Sequence, residues 1–484
     1  MAYDSKDDFS EKELGSGVLT PRSLPPYETE GTDRNAAGDE EIAIERVATA
    51  FDDEDSKDNT AAGTAKKVLS KVVTARSAAS IRDPGPPPDG GLTAWTQVLM
   101  GHICIMNTWG YINSFGAFQT YYTTSLGVPG SEISWIGTIQ VWLLFFIGTV
   151  AGRATDAGLF RRVYILGVFL TLLGIFMTSL CTEYWQLFLA QGVCTGLGNG
   201  LMFCPTVALV ATYFSKNRAL AIGLTASGSA TGGLIYPTMV RQLLPQLGFG
   251  WTVRILGFVS LATSAVTIAL FKVRLPPRQS GPLVDFSAFR ELTYCLFCLG
   301  MFLNFWALYF VFYYVSAFSR DIIGLPYKES LNLLLILNGV GYISRILPPF
   351  ISDRITGPLN LIIPFALATG VMLFAWSGVH TTGGLYPFTI VIGLTSSGVQ
   401  GLFPSVLSSL TPDLKKTGTR MGMAFSIVSF AALTGPPLAG ALISDSNGSY
   451  LHAQMWGGTV LVCGSLTLIA ARVAQTGLKL RVKI

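Results

Sequence analysis

The chain has 484 residues, of which 50% are hydrophobic and only 13% charged, about half the charged share of an ordinary soluble domain. That composition excludes a conventional soluble enzyme, and 52 glycines with a mean hydropathy of +0.48 fit a chain whose solvent is largely lipid. The formal charge of +4 hides two opposite parts: residues 1–92 hold 11 Lys/Arg against 19 Asp/Glu, and residues 93–484 hold 22 against 10.

Residues 1–92 read as a disordered acidic tail on the cytosolic side. They are rich in Ser, Gly, Pro, Ala and Asp, with acidic runs such as residues 51–55, and bury too little apolar surface to offset chain entropy. The stretch from Lys66 to Lys71 reads as solvated linker rather than as an amphipathic turn. No apolar core of a cleavable signal peptide is present, so the first membrane helix is expected to act as the targeting signal.

A spanning helix needs about 20 mostly apolar residues. From residue 93 onward the sequence offers twelve such segments, near 94–122, 131–153, 162–181, 185–212, 219–241, 251–272, 290–317, 328–353, 358–377, 383–408, 419–442 and 453–475. The expected fold is an all-α membrane protein of twelve transmembrane helices in two six-helix halves, residues 93–272 and 290–484, joined by a cytosolic linker at 273–289. The C-terminal half ends in a short cytosolic tail.

Lys/Arg bias sets the orientation. The breaks after the even-numbered segments carry Arg153, Arg161, Arg162, Lys216, Arg218, Lys272, Arg274, Arg278, Arg354, Lys415, Lys416 and Arg420, and the C-terminus carries Lys479, Arg481 and Lys483. Only Arg241, Arg254, Arg320 and Lys328 fall near the alternate breaks, so both termini are expected in the cytosol. The Asn447-Gly448-Ser449 sequon then faces outward as a weak glycosylation candidate.

The seven cysteines all lie in or at the ends of apolar segments and are read as small hydrophobes. Cys295 and Cys298 have redox spacing without the βαβ context that would give it meaning. No metal or other cofactor is expected. The halves echo one another: Asp156 and Asp353 are offset by 197 residues, Arg218 and Arg420 by 202, and segments 5 and 11 are both Gly-rich with Pro237 and Pro436-Pro437 near their outer ends. A parallel repeat of this kind is a transporter architecture with its site between the halves.

These residues resemble the major facilitator superfamily and, within it, the monocarboxylate-porter group of fungal type. The lead-in Asp89-Gly90-Gly91, followed by Trp95, is similar to that group's approach to its first helix, with one extra residue before the tryptophan. The aspartate is expected to cap the helix start and Trp95 to sit in the headgroup belt. The most extended match runs from Tyr213 through Lys216, Arg218, Gly223, Ser227, Gly228 and Gly232 to Gly233, similar to the group's approach to helix 5; its small residues let helix backbones approach. Arg153, Asp156 and Arg162 resemble the superfamily's motif between helices 2 and 3, where Asp and Arg form a cytosolic latch. Ala157 stands where that motif is usually basic, which predicts a weakened latch. Asp353 and Arg354 follow the pattern in the second half.

Polar residues inside the segments are the site candidates, because each is costly in lipid unless it faces protein or water. Arg345 lies eight residues before Asp353, ~12 Å inside the helix at ~1.5 Å per residue. The resemblance implies a substrate-handling arginine at this position; the competing reading is an arginine that snorkels to the interface. Gly341 and Asn113 stand where the animal porters have an acidic residue and a lysine, so their proton-and-lactate machinery does not carry over. His102 is the one titratable candidate for a proton carrier, against a neutral structural histidine. Asn107, Asn113, Gln191, Asn199, Asn304, Tyr309, Asn338 and Gln400 complete the polar set, with Trp109, Trp306 and Tyr313 as stacking faces. Together they favour a larger, hydrogen-bonding or aromatic solute.

The function expected is transport of a small organic solute by alternating access, secondary active or facilitative. The solute is a monocarboxylate-like or other organic anion; export of a secondary metabolite and uptake of a vitamin-like solute such as riboflavin are the alternatives. The partners are that solute, the bilayer and a co-transported proton, with no nucleic acid. The plasma membrane is the expected location, with the vacuolar or another internal membrane as the alternative. No Gly-x-x-x-x-Gly-Lys-Ser/Thr loop and no His-Glu-x-x-His or Gly-x-Ser-x-Gly cluster occurs, which disfavours an ATP-driven pump and a membrane enzyme. A non-transporting nutrient sensor on the same fold stays open. The topology is testable: reporters at residues 1 and 484 will be cytosolic and a tag near Asn447 will be labelled from the opposite face, and reversed labelling overturns the model.

Overall fold

The computed structural model describes residues 85–277 and 282–477, with 479, 482 and 483. The expected acidic tail lies outside the described residues up to residue 84, as do residues 278–281 of the linker. The described chain is helical with no strand. Nine of its helices are long and apolar enough to cross a membrane.

Two of the nine are double length, Glu132–Thr178 with 47 residues and Arg218–Leu270 with 53, against about 20 for one crossing. Each folds back at a glycine in the left-handed region, Gly158 (φ 81°) and Gly248 (φ 73°), where an L side chain would be strained. Segments 2 and 3, and segments 5 and 6, are thereby separated. Segment 1 forms Gly91–Asn113, continued by Phe115–Leu126; its polar residues leave it outside the apolar nine. Segment 4 contains a π-helical stretch, Phe188–Cys194, before Thr195–Thr212. Segments 7 to 12 form Leu292–Asp321, Tyr327–Ile351, Pro358–Trp376, Thr382–Ser409, Thr417–Asp445 and Leu451–Thr476.

Asp89 does not cap its own helix. The first helix has Gly90 at its N-cap with no side-chain hydrogen bond, and the Asp89 carboxylate instead accepts from the backbone amides of Ser215 and Lys216. Its own amide donates to Tyr213 O at 3.1 Å, and Trp95 packs on Phe214 with ring centroids 5.1 Å apart. The lead-in and the stretch before segment 5 are therefore one structure, a clamp between segments 1 and 4. Close approach of segments 1 and 5 follows from Gly228 and Gly232, where a Cβ would overlap the carbonyls of His102 and Met106.

The halves meet at the face that carries the basic breaks, here the basic face. Asp156 accepts from the amides of Gly418 (3.0 Å) and Thr419 (2.7 Å) and from the Thr419 hydroxyl (2.7 Å) at the start of segment 11. Asp353 accepts from the amides of Ala219 (3.1 Å) and Leu220 (2.7 Å) at the start of segment 5. Each half thus places a carboxylate on unsatisfied amides at the positive end of a helix in the other half. These partners are helix-start amides and the Thr419 hydroxyl. Between the latches segments 2 and 11 touch backbone to backbone, a Cβ on Gly152 overlapping the Gly418 carbonyl.

The motif arginines do other things. Arg218 holds Phe214 O at 2.8 Å and reaches Ser408 O of the other half at 3.4 Å. Arg162 is exposed, and exposed Arg354 lies over the Phe350 ring at 4.1 Å. Arg153, on the last turn of Gly148–Ala154, is half-buried beside the Asp156 turn. Arg420, the counterpart of Arg218, pairs with Asp285 (3.3 Å) and with Glu291, and Lys416 joins Asp285 at 3.3 Å. Burial raises the Asp285 carboxyl, but hydrogen bonds from Ser287, Arg420 and Lys416 outweigh it and the net shift is downward. That tie is present above the ordinary carboxylate pKa and is lost as pH falls through the lowered value.

Above the latches the space between the halves is packed with rings: Phe145 and Phe203 of the first half lie 5.6 and 5.2 Å from Phe425 of the second. The basic face is closed. Cys204 lies within this closure, fully buried, with Sγ 3.8 Å from Gly418 O. Replacing both Asp156 and Asp353 by Ala removes two helix caps, about 2 kcal/mol together, or roughly thirty-fold in the open-to-closed ratio. In a variant with Cys204 as its only cysteine, labelling by a charged thiol reagent should rise by about that factor; unchanged labelling would show that the latches do not hold this face shut.

Candidate functional site

Arg345 sits on segment 8 and is 3% exposed. Its Nη1 donates to Ser397 Oγ and its Nη2 to Gln400 Oε1, each at 3.0 Å, both partners on segment 10. No carboxylate pairs with it among the described residues, whereas Arg420, also buried, pairs with Asp285 and Glu291. A guanidinium buried this way carries a desolvation cost that neutral partners offset only in part, and it is held by packing, not by snorkelling. Gly341 has a structural reason: a Cβ there would stand 2.6 Å from Arg345 Nη1 and overlap the Ser397 hydroxyl. The guanidinium itself occupies the room that an acidic residue would need.

Two further groups near this arginine lack partners. The buried Tyr309 hydroxyl, on segment 7, and Gln400 Nε2 have no hydrogen-bond partner among the described residues. Tyr309 lies within electrostatic reach of Arg345 and faces Trp109 of the first half, the two rings 13° from parallel with centroids 6.3 Å apart. Asn113 and Asn338 are also brought together from opposite halves, for a Cβ on Gly233 would lie 2.9 Å from Asn113 Nδ2 and from Asn338 Oδ1. Each keeps a backbone hydrogen bond, to Ser229 O at 3.4 Å and to Leu334 O at 3.0 Å. The arrangement is one uncompensated cation, two aromatic faces, and amide and hydroxyl groups, contributed by both halves.

The other sequence candidates are not part of this group. Asn199 accepts from Thr171 of segment 3 at 3.2 Å. Asn304 bonds Gly300 O at 2.7 Å and packs at Gly464 of segment 12. Trp306 faces Trp456, also on segment 12. Asn107 braces segments 1, 5 and 6 through Thr263 (2.8 Å) and Tyr236 (2.9 Å), and Gln191 accepts from Tyr122. His102 is a staple to segment 5, with Nδ1 2.9 Å from Leu224 O and Nε2 3.1 Å from the Thr231 hydroxyl; a neutral imidazole donating from Nδ1 satisfies both. Asn447 is exposed in the turn between segments 11 and 12 with φ 52°. Sequence reasoning missed Ser397, whose one available signal is its spacing of three from Gln400 on a Gly-rich helix.

Arg345→Lys keeps the charge but loses the planar fork, so it should raise the apparent KM for the transported solute by about ten-fold, with protein at the membrane little changed. Arg345→Ala should abolish flux in protein that still reaches the membrane. Normal flux through Arg345→Ala, measured in vesicles, would make the arginine structural.

Known proteins match this chain closely. A family model described as Major Facilitator Superfamily matches residues 98–417. An "MFS-type transporter" of Gibberella zeae is 46% identical over 451 residues, 93% of this chain and 99% of its own length. The "Aspyridones efflux protein apdF" of Emericella nidulans is 32% identical, over 80% of this chain and 79% of its own. Among solved structures, the human organic anion transporter MFSD10 superposes with a TM-score of 0.64 at 14% identity, covering 78% of this chain and 99% of that one. The fucose:proton symporter FucP of E. coli does so at 0.59 and 14%, covering 77% and 98%. At that identity these two speak for the fold alone.

Proposed function

The chain belongs to the Major Facilitator Superfamily, a family of small-solute transporters, and we propose that within it this protein exports an organic anion, a secondary metabolite bearing an ionised carboxyl or enol group. The observation that carries this reading is Arg345: a buried cation with no carboxylate beside it among the described residues, for which a substrate anion is the natural counter-charge. The sequence resemblance to monocarboxylate porters supports it, and so does a relative whose name records aspyridones efflux.

The basic face is cytosolic by the positive-inside bias, and the membrane is the plasma membrane. Transport proceeds by alternating access. With the latches shut, solute leaves toward the opposite face; release of Asp156 and Asp353 from the starts of segments 11 and 5 opens the cytosolic side for loading. The latch is reversible because its arms include hydrogen bonds to helix-end amides that water can also satisfy.

Untargeted metabolite profiling of cells and medium, with and without the gene, tests the reading. At least one organic acid should fall about ten-fold in its medium-to-cell ratio on deletion, and should recover with the wild-type gene but not with Arg345→Ala. Retention of only neutral or cationic compounds, or no change, would overturn export of an anion.

A further inference from the structure

Within the ring cluster between the halves, the Trp109 and Tyr309 pair stands apart. Its rings are 13° from parallel, whereas Phe145 meets Phe305 at 88° and Phe425 at 32°, and Phe203 meets Phe425 at 55°. Its 6.3 Å centroid separation is toward the long end of the range of about 4.5–7 Å for aromatic pairs. One ring comes from segment 1 and the other from segment 7, so any parting of the halves widens this gap. The neighbouring rings stand edgewise and act as walls: Phe203 meets Trp109 at 73° and Phe305 meets Tyr309 at 70°.

The Tyr309 hydroxyl stands at one edge of the pair and is among the buried side-chain groups that lack partners. The Tyr309 hydroxyl and Gln400 Nε2 have no hydrogen-bond partner among the described residues, and Arg345 gives one hydrogen bond each to Ser397 and Gln400. A guanidinium has five N–H donors, so three are left for a ligand. Burying such groups unsatisfied is costly, and a bound acid would satisfy them together.

The geometry points to a flat aromatic acid as the substrate class, its ring sandwiched between Trp109 and Tyr309 and its anionic group held by Arg345 and the Tyr309 hydroxyl. A flat ring needs one contact of about 3.5 Å on each side, ~7 Å between the planes of the flanking rings, and parting of the two halves supplies that opening. A saturated ring system of the same size is thicker and has no π faces. This inference rests on the proposed export of an organic anion, and it adds shape and aromaticity to charge.

The test uses the purified full chain in lipid nanodiscs with two probes, 2-naphthoate and decahydro-2-naphthoate, which share a carboxylate and differ in flatness. Wild type should bind naphthoate about ten-fold more tightly than its saturated counterpart, the worth of two ring contacts. Trp109→Leu should bring the two affinities within about two-fold while leaving the saturated acid as it was, Tyr309→Leu should bring them equally close while weakening both acids through loss of its hydroxyl, and Trp109→Phe should restore most of the preference. Arg345→Gln should weaken both acids alike. A thermal unfolding transition confirms that each variant is folded. Equal affinities in wild type, or a preference that survives both leucine variants, would overturn the aromatic slot and leave the anion reading standing. If wild type binds neither acid, both fall.

Discussion

The structure depends on a carboxylate set against the start of a helix, made twice. Asp156 caps segment 11 and Asp353 caps segment 5, each reaching from one half into the other. The first amides of a helix have no partner within it, so each cap satisfies donors that would otherwise need water, at the positive end of the dipole. Because the two caps are related by the internal repeat, they pull the halves together evenly at one face. The backbone contact of segments 2 and 11 and the ring packing above it follow from that closure.

Behind the latches the bundle keeps a charge that it does not neutralise. Ser397 and Gln400 orient Arg345 without cancelling it, and Gly341 leaves its guanidinium the space to lie between segments 8 and 10. Elsewhere buried cations are paired, as Arg420 is with Asp285 and Glu291. The contrast separates two settings: the paired charge ties elements together, and the unpaired one carries the proposed affinity for an anion. His102 and Asn107 are engaged inside one half, where hydrogen bonds between helices make them tolerable in the membrane.

The sequence by itself determined the class of fold, because the bilayer imposes its thickness on every apolar segment and the scarcity of charge cannot be mistaken for a soluble core. It determined the repeat, through Asp156 with Asp353 and Arg218 with Arg420, and it singled out Arg345, because an arginine in a membrane helix is too costly to be incidental. It did not determine partners. That Asp89 grips Ser215 and Lys216 rather than its own helix, that Asp156 and Asp353 reach helix-start amides of the opposite half, and that Asn199 and Asn304 turn to segments 3 and 12 were decided by tertiary structure alone. The reason is geometric: helical periodicity fixes which residues share a face of one helix, whereas the neighbour met by that face depends on how the helices are arranged and tilted, which is set by contacts more than a hundred residues apart in the chain.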